Sequence, residues 1–162
     1  MIAEEYMDDS MAVITPAKKP FYPGQIMSID DFKKQRFLLR EIGSGTRDSF
    51  EHIIKKYDFC IKPVWEGMST TDLVNAVKKG LGISVLPRRM ITRDLENGDI
   101  YSIQIENLDF HRKFYITYHK DKRINGILNN FIELVRNYEL NYPLPSSTQF
   151  YYSKSETDSN FS

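Results

Sequence analysis

The chain has 162 residues, 41% of them hydrophobic and 27% charged, which is enough apolar material for one domain with a real core or two small lobes. Lys+Arg and Asp+Glu balance at 22 each with no basic block, which argues against a chain that grips DNA by itself. One cysteine excludes an intrachain disulfide and a clustered Cys/His zinc site, and no apolar run approaches the roughly 20 residues that cross a bilayer.

In chain order, the acidic start Met1-Ile2-Ala3-Glu4-Glu5 lacks the basic and apolar regions of a signal peptide, so a cytoplasmic location is expected. Met11 to Thr15 reads as a short buried strand stopped by Pro16, and the Pro/Gly-rich stretch 16–25 as a loop. Ser28 is a natural N-cap for a short helix with acids in its first turn. Arg36 to Arg40 reads as a strand. A helix follows from about Ser44 to Tyr57, with Phe50, Ile53, Ile54 and Tyr57 on one face.

Ile61 to Trp65 reads as the next strand, with Cys60 beside it as an ordinary core thiol. Ser69 to Asp72 opens another helix in the manner of a capping box, and Gly80 stops it. Gly82 to Leu86 is a short buried strand; Pro87 suits the first turn of a helix running to Glu96. After the Asn97-Gly98 turn, 100–105 and 111–118 alternate as strands. Ile124, Ile127, Leu128, Phe131, Leu134, Val135 and Tyr138 recur at helical spacing. The Ser/Thr/Tyr-rich segment 142–162 reads as a flexible tail. Strands alternating with helices from 36 to 105 predict an α/β sheet with parallel strands.

The most informative stretch is Arg40-Glu41-Ile42-Gly43-Ser44-Gly45-Thr46-Arg47. In a parallel α/β sheet the strand's carboxyl end and the next helix's N-terminus face one crevice. The first N–H groups of that helix have no internal partner, and they attract an anion or a carbonyl. Gly43 and Gly45 allow close backbone approach, Ser44 and Thr46 add hydroxyls, and Arg47 adds a charge. The plainer reading of Ser44 as an N-cap and Gly43 as a turn residue stands beside this one. The spacing is not that of a Walker loop, GxGxxG or GxSxG. Ser69-Thr70-Thr71 and Gly82 offer further openings toward the same crevice.

The runs FLLREIGSGTRDSFE, STTDLVNAVKKGLGISVLP and LENGDIYSIQIENLDFHRKFYITYHKDKR, followed by an amphipathic helix, resemble in order and spacing the effector-binding domain of LysR-type transcriptional regulators. The resemblance covers roughly residues 5 to 140. It implies a type 2 periplasmic-binding-protein-like fold: two α/β lobes, two crossover strands, and a small polar or anionic effector between the lobes. On that plan 1–19 is the end of the first lobe with the first crossover strand, 20–110 the second lobe, and 111–141 the second crossover strand with a helix returning to the first lobe.

The same resemblance implies ligand positions at Ser44, Gly45, Thr46, Ser69, Thr70, Asn75, Gly82 and Ile83. Arg47 either meets an anionic effector or pairs with Asp48 or Glu51. The winged helix-turn-helix with which such regulators start is not in this sequence. The resemblance therefore implies that DNA is reached only through such an N-terminal domain of a longer, truncated parent. Uncovered, the apolar face of the last helix, headed by Phe131 and Leu134, favours a homo-oligomer.

No cofactor, metal or membrane partner is expected. His111 and His119 sit roughly 26 Å apart along a strand, at about 3.3 Å per residue. No nucleophile–base pair is visible, so no catalytic residue is assigned. A transporter's solute-binding component shares the implied fold and is the alternative.

Overall fold

The computed structural model describes residues 1–141, and the predicted tail 142–162 lies outside them. The elements run β1 (Ile2–Pro16), β2 (Ile26–Met27), α1 (Ile29–Lys33), β3 (Leu38–Arg40), α2 (Gly45–Lys55), β4 (Trp65–Gly67), α3 (Thr70–Lys78), β5 (Ser84–Pro87), α4 (Arg88–Glu96), β6 (Ile100–Ile105), β7 (His111–Tyr118) and α5 (Gly126–Asn141).

The sheet order is β2-β6-β1-β5, continued to β3-β4 through a parallel bridge between Phe37 and Ile83. β1 runs antiparallel to β5, β6 and β7, while β2 is parallel to β6 and β3 to β4. It follows that β2 to β7 all point one way and β1 alone points the other. The expectation of parallel strands holds for every strand that follows a helix. It did not extend to β1, which lies between β6 and β5 and runs antiparallel to both. Strand period alone does not encode direction, so the sequence carried no sign of this.

β1 alternates between two cores. Met11 and Val13 pack with Phe32, Phe37, Leu39, Phe50, Ile54, Phe59, Ile83, Val85, Ile103 and Ile105 on the face that α1 and α2 cover. Ala12 and Ile14 pack with Leu38, Leu73, Val74, Val77, Leu86, Ile91 and Ile100 on the face that α3 and α4 cover. Central strands buried on both faces read as continuous apolar runs, which is why Phe37-Leu38-Leu39 and Val85-Leu86 show no polar alternation. Phe32 anchors the first core, with the Phe37 ring edge-on at 5.0 Å and Phe50 and Phe59 at 6.3 and 6.1 Å. Such pairs add about 0.5–1.5 kcal/mol each beyond area burial.

Several local expectations change. β1 begins at Ile2, not Met11: residues 2–10 pair with β7 across a register shift between Glu5 and Met7. The acids that made this segment look unlike a strand find cations on facing elements: Glu5 with Lys113 at 2.6 Å, Asp9 with Arg112 at 2.6 Å, Glu4 with Arg136 of α5 at 2.7 Å. β4 starts at Trp65, where Ile61 was expected to open it. Pro63 supplies no N–H to a ladder, and pairing with β3 begins only at Trp65. Cys60 is exposed, not a core thiol. Ser28 caps α1 as expected, accepting from Asp31 N–H at 3.1 Å.

The last helix shows the predicted bare face. Ile127, Phe131, Leu134 and Tyr138 are exposed, and Ile132 is the buried contact. Among the described residues no helix is long and apolar enough to cross a membrane.

Candidate functional site

Parallel pairing brings two helix N-termini together. Leu38, Leu39 and Arg40 lie beside Trp65, Glu66 and Gly67, so β3 and β4 end level. α2 and α3 then start from adjacent strand ends, at Gly45 and Thr70. Each contributes unpaired backbone N–H groups and the positive end of a helix dipole.

Ser44 and Ser69 hold the N-cap positions in extended conformation, yet neither side chain makes a capping hydrogen bond. The expected Ser69–Asp72 capping box is therefore absent. Both serines are half-buried at the edge of the mouth. Gly43 takes a φ of +88°, a turn that suits glycine. A side chain added at Gly43 or Gly45 would meet nothing within 4 Å. The loop is thus open beside its amides and is not sealed under neighbouring side chains. Thr46 is half-buried one residue further in.

Arg47 does not face outward. Its side chain is 8% exposed and bonds three elements. Nε reaches Glu51 Oε1 at 2.7 Å on α2, Nη1 reaches Glu66 Oε1 at 2.8 Å on β4, and Nη1 donates to the Arg40 carbonyl at 3.1 Å on β3. The hydrogen bond to Glu51 leads, opposed by burial and aided by Glu66, in holding the guanidinium pKa above its ordinary value. Of the two roles weighed for Arg47, the geometry supplies the carboxylate pair, and adds Glu66, which the sequence gave no reason to place there. Arg40 is itself clamped by Glu41 at 2.8 and 2.9 Å.

The remaining predicted residues scatter. Thr70 is buried, its hydroxyl directed at Met90 Sδ at 3.8 Å, so it ties α3 to α4. Asn75 is exposed, more than a turn along α3 from the mouth. Gly82 and Ile83 lie at the opposite end of β3. Ile83 N–H donates to the Arg36 carbonyl at 2.9 Å, its own carbonyl accepts from Leu38 N–H at 2.9 Å, and its side chain is 1% exposed. A Cβ on Gly82 would lie 2.3 Å from the Arg36 carbonyl oxygen. This glycine permits close strand contact and does not reach the mouth. The reason is direction: a parallel strand's amino end is remote from the crevice that its carboxyl end lines.

Among the described residues two hollows lie near the first residues of β7, and none of the nine predicted residues lines either. One, of about 450 Å³, lies between His52 and Lys56 of α2 and His111 and Arg112 of β7. The other, of about 220 Å³, lies between β1, β6 and Arg88. Among the described residues no group of three or more His, Cys, Asp or Glu is placed to hold a metal.

Residues 1–139 match the family model described as the LysR substrate binding domain. The RuBisCO operon transcriptional regulator of Allochromatium vinosum is 29% identical over 133 residues, covering 82% of this chain and 44% of that protein. The HTH-type transcriptional regulator CysL of Bacillus subtilis is 31% identical over 110 residues, 68% of this chain and 37% of that protein. The chain thus spans less than half the length of these relatives. Among solved structures, the regulatory domain of Synechocystis CcmR in complex with 2-PG superposes with a TM-score of 0.77 at 20% identity, over 90% of this chain and 69% of that one. The effector-binding domain of QuiR in complex with shikimate gives 0.71 at 17% identity, over 87% and 66%.

Proposed function

The chain belongs to the family of LysR substrate-binding domains, and from that premise we propose that it senses a small polar or anionic metabolite at the mouth formed by Ser44, Gly45, Thr46 and Ser69. Binding there biases the arrangement of a homo-oligomeric regulator, whose DNA contacts are made by an N-terminal domain of the longer protein. The proposed setting is the cytoplasm, where such a regulator meets both metabolite and DNA. Residues 20–110 act as the ligand-bearing lobe, and the β1/β7 ribbon as its connection to the other.

One observation carries this reading. Two helix N-termini open side by side from level strand ends, and neither is closed by its own serine. An oxyanion or carbonyl set there accepts N–H donors at the positive ends of two helices, with hydroxyls at its flank. Arg47 acts as a positioning residue: it bolts α2 to β3 and β4 and so fixes the spacing of the two mouths. In this reading Thr70 offers its backbone N–H, its hydroxyl being directed at Met90, Asn75 lies further along α3, and Gly82 and Ile83 support the sheet behind. A ligand transmits a signal only through unequal affinity for two arrangements, so the mouth must change its environment when the lobes close.

The test is a thermal-shift screen of small carboxylate and phosphate anions on the whole chain, followed by titration of the best binder. Thr46→Val should weaken that binder about tenfold, the worth of one hydrogen bond to a charged group, with the unliganded melting temperature little changed. An unaltered affinity in that variant would remove the loop from the site.

A further inference from the structure

The sheet forks where β1 changes partners. Residues 13–16 lie beside β6 and residues 2–10 beside β7. At the fork the Met11 N–H donates to the Phe110 carbonyl at 3.0 Å. Ile14 faces Ser102 across the pair, so even-numbered residues of β1 and β6 share one face there. Ile14 and Ile100 fill that face deeper in, whereas Ser10, Ala12 and Ser102 are small. The hollow of about 220 Å³ at the fork is bounded by these small residues and by Arg88, Gln104 and His111, and its apolar wall includes Met11, Val13, Ile103 and Ile105.

Arg88 is the first residue of α4 and only 8% exposed. Its Nη2 donates to Ser102 Oγ at 3.3 Å, which aims the guanidinium across β1 toward β6. A guanidinium withdrawn from water favours planar or tetrahedral oxyanions, and the hydroxyls and amide around it are matching donors. Among the described residues bounding the hollow the one carboxylate, Asp109, is engaged by His111 through its backbone N–H at 3.0 Å and Nδ1 at 2.5 Å. The volume is below the 300–1,000 Å³ of ordinary ligand pockets, so it fits a compact group.

We propose that this fork binds the carboxylate or phosphate group of a small molecule, with Arg88 as its charged partner. It is separate from the amide mouth. β6 is three strand steps from β3, about 14 Å at 4.8 Å per step, and the two places share no residue.

The experiment is amide NMR of the whole chain titrated in turn with inorganic phosphate and with acetate, ionic strength held constant with chloride. The expected result is saturable shifts centred on Ser10, Ser102, Gln104 and His111. Response to phosphate alone identifies a phosphate group, to acetate alone a carboxylate, and to both a general oxyanion site. Arg88→Gln should weaken binding at least about tenfold. Should that variant fail to fold, Ser102→Asp decides: its carboxylate would sit against Arg88 and exclude the added anion from an intact fold. The proposal is overturned if neither ion saturates by about 20 mM, equivalent to under about 2.3 kcal/mol of binding. It is equally overturned by binding that Ser102→Asp leaves intact. Shifts confined to residues 44–47 would also overturn it, while supporting the amide mouth.

Discussion

Replacing Arg47 by methionine removes the bolt between α2, β3 and β4 while keeping most of the side chain's apolar bulk. The cost can be built from the contacts. Glu51 and Glu66 are 45% and 42% exposed, so each recovers water when its partner goes, and each lost pair is worth about 0.5 kcal/mol. The bond from the charged Nη1 to the Arg40 carbonyl adds about 1.5 kcal/mol, because a charged donor binds more strongly than a neutral one. The sum is about 2.5 kcal/mol, or a fall in melting temperature of about 5–10 °C for a chain of this size. Urea denaturation followed by circular dichroism should show a lower midpoint with unchanged slope. Arg47→Lys keeps the charge but cannot fork to three acceptors, and should recover less than half of the loss. Salt at about 1 M should shrink the gap between parent and Arg47→Met only in part, since the carbonyl bond is barely screened. A methionine variant within about 0.5 kcal/mol of the parent would refute the bolt.

Gly82→Ala should destabilise by at least about 2–3 kcal/mol, because its Cβ meets the Arg36 carbonyl oxygen and Leu38 Cγ, at 2.3 and 3.1 Å. Gly45→Ala meets nothing within 4 Å and should raise stability by up to about 1 kcal/mol; equal denaturation midpoints for the two variants would contradict both placements. Arg136 hydrogen-bonds Glu4 and holds its carboxyl below the ordinary 4.5. A depressed folded pKa means that this tether is fully present above 4.5 and is lost as pH falls through the lower folded value. Hydrogen exchange should therefore show α5 losing protection in the parent as pH falls through that lowered folded value, and already at neutral pH in Glu4→Gln. The bare face of α5 predicts concentration-dependent association that Phe131→Glu with Leu134→Glu abolishes; a strict monomer by light scattering across micromolar concentrations would count against it.

The helices were legible because their signals are local. Ser28, the apolar rows of α2 and α3, and the turn glycines at 80 and 98, whose φ values are +78° and +71°, each act within a few residues. The amide mouth was legible for the same reason, since a glycine-rich turn running into a helix start is a contiguous signal. Arg47's commitment was only half legible. Glu51 lies one helical turn away, but Glu66 arrives from another strand, and nothing in the intervening residues announces it.

By itself the sequence determined which segments coil, where they stop, and that one loop presents amides with little side chain in the way. The family resemblance added an expected overall plan. Only the tertiary structure decided that β1 runs against its neighbours, that acidic residues 4, 5, 8 and 9 belong to a strand, and that Gly82 is a packing residue at the far end of β3. Those features depend on partners about 45 to 130 residues distant, and pairing across such gaps is fixed by packing and charge in three dimensions, not by any local preference of the chain.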